Sequence, residues 1–158
     1  MKSKQIKVMA VTAILMAFNI VLSSFGVPVP GGHMYLNDVI ICTAAILLNP
    51  FGAFMVGGVG VEIKKKRPQR APLIAQLTRY HGLQAVVISL ATRRLGKDRP
   101  SGSAIGVTIG AVIMVVGYSL GRAFIYSTPE YALLKLPFQI AQAVVGAVVG
   151  WLLCWKCK

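Results

Sequence analysis

From Ala104 to Gly121 the chain runs 18 residues without a charge. A helix rising about 1.5 Å per residue spans a hydrocarbon core over that length. In lipid a helix also satisfies every backbone N–H and C=O internally. The surrounding stretch, Ser103 to Tyr126, carries Tyr118, Arg122 and Tyr126 at its far end, spaced i, i+4, i+8 and so on one helix face. An arginine at the edge of a membrane helix is costly unless it snorkels or faces a polar cavity. Two readings stay open there: an interface anchor with a tyrosine belt, or a ligand pocket opening on that side of the membrane.

Hydrophobic runs recur from one end of the chain to the other. With 56% hydrophobic and 13% charged residues over 158 positions, the profile is that of a single membrane domain, 1–158. The net charge of +13 is clustered, ten of the seventeen basic residues lying between Lys64 and Arg99. Such clusters mark the cytoplasmic side and contact with anionic lipid. Nucleic-acid binding would need aromatic or groove-fitting partners beside the charge, and none accompany it. Cys42, Cys154 and Cys157 lack metal-ligand spacing and read as unpaired thiols or lipidation sites. Four acidic residues and two histidines offer no acid–base pair at catalytic spacing, and no phosphate-binding loop is present. The chain therefore reads as neither an enzyme nor an ATPase, with no metal and no cofactor.

Val8 to Gly26 reads as a retained first helix after the basic start MKSKQIK. Ala10, Ala13 and Ala17 lie on one side of it, the last two in AxxxA spacing, which lets helices approach closely in lipid. Val27 to Asp38 (VPVPGGHMYLND) reads as an outer loop, since it holds two prolines, two glycines and no Lys or Arg. His33, Tyr35, Asn37 and Asp38 give it hydrogen-bonding chemistry. Two short apolar runs follow, Val39 to Leu48 and Phe51 to Val61, split by Asn49-Pro50; they form either two helices joined at NPFG or one long kinked span. Gly52, Gly57, Gly58 and Gly60 imply close packing or irregular backbone there. Residues 62–80 are an atypical basic segment, with KKKR and two prolines. His81 to Thr92 is apolar again, RRLGKDRP is a basic loop, and Ser127 to Lys135 reads as a short turn with Pro129. Leu136 to Trp155 is the last span, with Gly146 and Gly150 in GxxxG spacing.

The fold class is thus all-α integral membrane. Six transmembrane helices would run 6–26, 36–49, 51–63, 72–93, 103–126 and 136–155, forming a compact bundle with both termini inside. This order obeys the positive-inside rule except at KKKRPQR. A four-span alternative, in which 36–63 crosses once and the basic stretch 64–99 lies along the inner interface, removes that conflict.

The sequence of features, namely the AxxxA helix, the PxPGG loop, YLNDVIICTAAILLNPFGAFMVGGVG, the HGLQAVV helix and the closing FQIAQAVVGAVVG, resembles the substrate-binding S components of energy-coupling factor (ECF) vitamin transporters. The resemblance covers about residues 8–61 and 81–153 and breaks off at Val61 to Tyr80, where an apolar, glycine-rich third helix is expected. It implies a six-helix bundle in a bacterial plasma membrane that captures a vitamin or vitamin precursor in its outer half. It also implies that the Ala10, Ala13, Ala17 face docks on a transmembrane coupling subunit, with two ATPase subunits driving uptake. In that helix order His81 and Gln84, Tyr118, Arg122 and Tyr126, and Gln139 and Gln142 gather at the outer ends of three helices, near His33, Tyr35 and Asn37 of the loop. A few placed polar groups in an apolar setting suit a small heterocycle: rings to stack on it, amides and a guanidinium to bond its edge. The other functional reading is a small structural or anionic-lipid-binding helical protein whose basic stretch is the active feature.

Overall fold

The computed structural model of the chain describes residues 2–30, 32–59, 71–96, 99–121, 123–124 and 128–156. Six helices and one hairpin account for nearly all of them. The helices are α1 (Lys2–Leu22), α2 (Asn37–Leu47), α3 (Pro50–Phe54), α4 (Ala71–Leu95), α5 (Pro100–Gly121) and α6 (Pro129–Lys156). The hairpin pairs β1 (Gly26–Val29) with β2 (Gly32–Tyr35). Residues 60–70, which hold five of the six basic residues of the 62–80 segment, lie outside the described residues, as do Arg122 and Tyr126.

Helix boundaries follow local chemistry. The chain breaks between α2 and α3 because Leu48 and Asn49 are both extended, with ψ of 165° and 164°. Asn49 then caps α3, its Oδ1 accepting from Gly52 N at 2.8 Å, and Pro50 opens the helix where its missing N–H costs nothing. Of the two readings of NPFG, the two-helix one is found. After Phe54 the helix widens into a π-helical turn, Met55–Val59, so the glycines here do mark irregular backbone. Helix α4 ends at Gly96, whose φ of 109° suits glycine, and Pro100 restarts the chain as α5.

Two expectations need correcting. Residues 27–38 are not a loop throughout. Gly26 pairs with Tyr35, Val27 with Met34, Pro28 with His33 and Val29 with Gly32, so the proline and glycine signals mark the turn of a tight hairpin, and Asn37 and Asp38 already belong to α2. Nor do 129–135 form a turn. Pro129 sits in the first helical turn, Thr128 Oγ1 accepts from Tyr131 N at 3.4 Å, and α6 runs on through Pro137 to Lys156.

Named contacts fix the direction of each helix. Ile88 meets Gly110 and Thr92 meets Gly106, so α4 and α5 are antiparallel. Gln139 bonds the carbonyls of Met114 and Val115 while Trp151 bonds Ser103, so α5 and α6 are antiparallel. Asp38 packs on Gly146 and Cys42 on Gly150, so α2 runs parallel to α6. Gly57 meets His81 while Leu48 O accepts from Ser89 Oγ at 3.0 Å, so α3 opposes α4. Thr12 lies by Gly52 and Asn19 by Val56, so α1 runs with α3. Direction therefore alternates from helix to helix, and the start of α1 and the end of α6 lie on one side. Ser3–Leu22, Pro100–Gly121 and Pro129–Lys156 are long and apolar enough to cross a membrane; α2 and the Pro50–Val59 unit are shorter apolar helices.

The core joins Ile41, Cys42, Ala45 and Ile46 of α2 to Ala53, Ala85, Ile88, Val107, Ala147 and Cys154. Lipid removes most of the hydrophobic drive between helices, so close approach has to hold them. A Cβ on Gly150 would lie 2.9 Å from Val39 O, and one on Gly102 2.8 Å from Gly96 O. Val112, Val116, Leu120, Val144, Val148 and Leu152 stay on the outer surface, as a lipid-facing bundle requires.

Candidate functional site

Polar side chains collect at the end of the bundle that carries the hairpin. His81 sits just before the middle of α4, Tyr118 late in α5, Gln139 and Gln142 in the first half of α6, and Asp38 in the first turn of α2. The alternating helix directions bring these positions to one level. Below them the interfaces are closed by the apolar core and by glycines.

Tyr118 Oη and His81 Nε2 are 2.6 Å apart. His81 Nδ1 lies 3.4 Å from Gln84 Oε1 and 3.6 Å from Asp38 Oδ1. All three contacts are met by one tautomer: the phenol donates to Nε2, and Nδ1–H points between the amide and carboxylate oxygens. The other carboxylate oxygen, Asp38 Oδ2, accepts from Gln142 Nε2 at 2.5 Å. Gln142 Oε1 in turn accepts the backbone N–H of Tyr35 at 3.1 Å. A line of polar groups thus runs from α5 through α4, α2 and α6 to the hairpin, its His81–Asp38 step being a 3.6 Å contact that leaves Asp38 Oδ1 without a hydrogen bond. His81, Gln84, Asp38 and Gln139 are all at least 96% buried, so each needs partners inside the protein.

Aromatic rings line the same place. Tyr80 and Tyr118 lie 5.9 Å apart with a 43° tilt, and His81 and Tyr118 5.3 Å apart with a 58° tilt. Gln139 Nε2 reaches Val115 O at 3.2 Å and Met114 O at 3.4 Å, tying α6 to α5 just below Tyr118. On the hairpin His33 and Tyr35 are exposed, their rings 6.3 Å apart. Lys135 Nζ donates to His33 O at 3.1 Å, a second link from α6 to β2.

Tyr118, His81, Gln84, Gln139 and Gln142 are therefore brought together, with Tyr35 joined through its backbone. Asn37 is buried beside Asp38 at the start of α2. His33 and the Tyr35 ring face outward on the hairpin. Arg122 and Tyr126 lie outside the described residues. Two members have no place among the sequence-derived site residues. Asp38 reads only as a polar loop residue, yet it joins α4 to α6. Tyr80 falls in the atypical segment; its i, i+1 step from His81 was the available signal.

Away from this end, Ala10, Ala13 and Ala17 are exposed on α1, almost none of whose apolar span is buried. Its firm attachment is Asn19, fully buried, whose Nδ2 donates to Val56 O at 2.6 Å inside the π-helical turn. At the opposite end of the bundle Ser103 Oγ accepts from Trp155 Nε1 at 2.9 Å and Trp151 Nε1 at 3.1 Å. The exposed basic residues Lys4, Lys7, Arg93, Arg94, Arg99 and Lys156 belong to that end. No group of three or more potential metal ligands occurs among the described residues.

A comparison with curated proteins finds no match. The family model described as "ECF-type riboflavin transporter, S component" matches residues 3–158, and so runs on through 62–80, where the resemblance read from the residues breaks off.

Proposed function

The chain belongs to the family of ECF-type riboflavin transporter S components, the membrane-embedded substrate-binding subunits of a transport system, and on that premise we propose that it captures riboflavin or a related flat heterocycle from outside the cell. In this reading the chain crosses a bacterial plasma membrane six times, α2 and the Pro50–Val59 unit doing so only with the help of their flanks. The basic end of the bundle, with both termini, is cytoplasmic by the positive-inside rule, which leaves the hairpin and the polar cluster outside.

The observation that carries the reading is the convergence of Tyr80, Tyr118, His81, Gln84, Gln139 and Gln142 at one end of an otherwise apolar bundle. Tilted tyrosine rings offer faces to a planar heterocycle. Glutamine amides present donor and acceptor side by side, matching the edge of such a ring. Arg122 and Tyr126, which follow Tyr118 by four and eight residues in the sequence, are proposed members of the site, Arg122 serving an anionic or carbonyl group. In this reading the hairpin, with His33 and Tyr35 exposed, borders the site, and Asn37 stands beside Asp38 at the start of α2.

The exposed Ala10, Ala13, Ala17 face of α1 is the docking face for a transmembrane coupling subunit, since small side chains let a partner helix approach closely. Two ATPase subunits attached to that partner supply the energy. Titration of the purified protein with riboflavin, thiamine and pyridoxine, read by quenching of ligand or tryptophan fluorescence, tests the proposal. Saturable binding of one of them supports it, and binding of none at micromolar concentration contradicts it.

A further inference from the structure

Asp38 has an arrangement that substrate capture alone does not require. It is 1% exposed, it stands in the first turn of α2, and its two carboxylate oxygens face different helices. Oδ1 faces His81 Nδ1 on α4 at 3.6 Å, and Oδ2 accepts from Gln142 Nε2 on α6 at 2.5 Å. A glutamine amide has an oxygen and a nitrogen of similar shape, and only its partners decide which way round it sits. A carboxylate can only accept. Asp38 therefore forces Nε2 toward itself and turns Oε1 away, toward the hairpin. There Oε1 accepts the backbone N–H of Tyr35 at 3.1 Å.

We propose that Asp38 is a positioning residue: by fixing the amide of Gln142 it holds strand β2, and with it the hairpin, against α6. The side-chain bridge from Lys135 Nζ to His33 O lies two residues along the same strand and does not depend on Asp38. Asp38 thus governs the Tyr35 end of the strand while Lys135 governs the His33 end. The other carboxylate oxygen faces the His81–Tyr118 pair at 3.6 Å, without a hydrogen bond, so the same residue sits between the hairpin and the aromatic cluster. The proposal rests on the transport reading only for what the hairpin covers; the positioning itself concerns the ligand-free protein.

The chemistry supplies its own rescue. In Asp38→Asn the new amide nitrogen faces either Gln142 Nε2, donor against donor, or His81 Nδ1, which accepts it only by moving its proton to Nε2 and giving up the contact with Gln84 Oε1. In Gln142→Glu two carboxylates face each other. Combining Asp38→Asn with Gln142→Glu reverses the bond: the amide nitrogen at 38 donates to the carboxylate at 142, which still accepts from Tyr35 N–H, while the amide oxygen at 38 still faces His81.

The test is amide hydrogen exchange in lipid nanodiscs, without ligand, resolved to Tyr35, with Val144 on α6 as the internal reference. Each single substitution is expected to speed exchange at Tyr35 about tenfold, the scale of one lost hydrogen bond, while Val144 stays protected. The double substitution should return Tyr35 to within about threefold of the parent. Single substitutions that leave Tyr35 unchanged overturn the proposal. So does a double substitution that exchanges as fast as the singles, or that fails to fold. Riboflavin added to the same samples separates the two readings: a protein that binds none but shows the rescue keeps the role of Asp38 and loses the transport assignment.

Discussion

Tyr118 and His81 hold each other across the α4–α5 interface, phenol oxygen to Nε2 at 2.6 Å, with ring centres 5.3 Å apart. Both side chains are largely buried, 6% and 4% exposed, so their bond does much to set the orientation of both rings. Removing the hydroxyl tests how much rests on it. Tyr118→Phe keeps the aromatic face but leaves His81 Nε2 without its donor. Unfolding in detergent should show a loss of about 1–3 kcal/mol. Riboflavin affinity should fall less than in Tyr118→Leu, which also removes the ring.

Asn19 is the polar anchor of the outermost helix. A π-helical turn shifts the hydrogen-bond register of the backbone, and Val56 O takes its side-chain bond from α1. Asn19→Leu should leave that carbonyl without the bond in an apolar surround, at about 1–3 kcal/mol. Limited proteolysis should then release α1 sooner than in the parent, with the rest of the bundle intact. Equal protease resistance would assign α1 to lipid contacts alone.

Gly150 sets the distance between α2 and α6. A methyl group there would lie 2.8 Å from Cys42 Cβ and 2.9 Å from Val39 O, and backbone cannot step aside as a flexible side chain can. Gly150→Ala should cost roughly 1–3 kcal/mol in thermal unfolding, the scale of overpacking.

The chain holds two tryptophans, and both donate to Ser103. Ser103→Ala strips Trp155 of that acceptor, while Trp151 keeps Pro100 O at 3.1 Å. The tryptophan emission spectrum should therefore shift, with a stability loss of about 1 kcal/mol. Vitamin binding should be unchanged, because on α5 Ser103 stands about 22 Å from Tyr118 at the helical rise. A loss of binding would move the site toward the tryptophan end.

Ala13→Leu adds bulk to the exposed face of α1 without touching the core. It should abolish co-purification with a transmembrane coupling subunit and leave vitamin affinity within about twofold of the parent. Normal co-purification would place docking on another helix.

Much of this arrangement was legible in the residues. The uncharged run in α5 and the alternating order of apolar stretches point to the bundle, and His81, Gln84, Tyr118, Gln139 and Gln142 fall where that order puts them. Gly146 and Gly150 pack against α2 as their spacing implies. What the sequence hid depends on contacts between distant positions. Asp38 stands next to a proline- and glycine-rich stretch and looks like part of a loop; only the packing of α2 on α6, 104 residues away, makes it a hub. The hairpin strands have four residues each, too few for alternation to outweigh their prolines and glycines. Pro129 reads as a breaker because proline is permitted both in turns and in a first helical turn, and the local sequence does not distinguish them. Asn19 looks like a chance polar residue in an apolar helix until the π-helical turn beside it is known.

The most direct test of the account is native mass spectrometry of the detergent-purified protein, followed by solvent extraction and identification of any small molecule carried with it. The account predicts one bound molecule of riboflavin or a similar flat heterocycle per chain, displaced by excess free vitamin. A protein that is empty as isolated, and still empty after incubation with the vitamin panel, would contradict it.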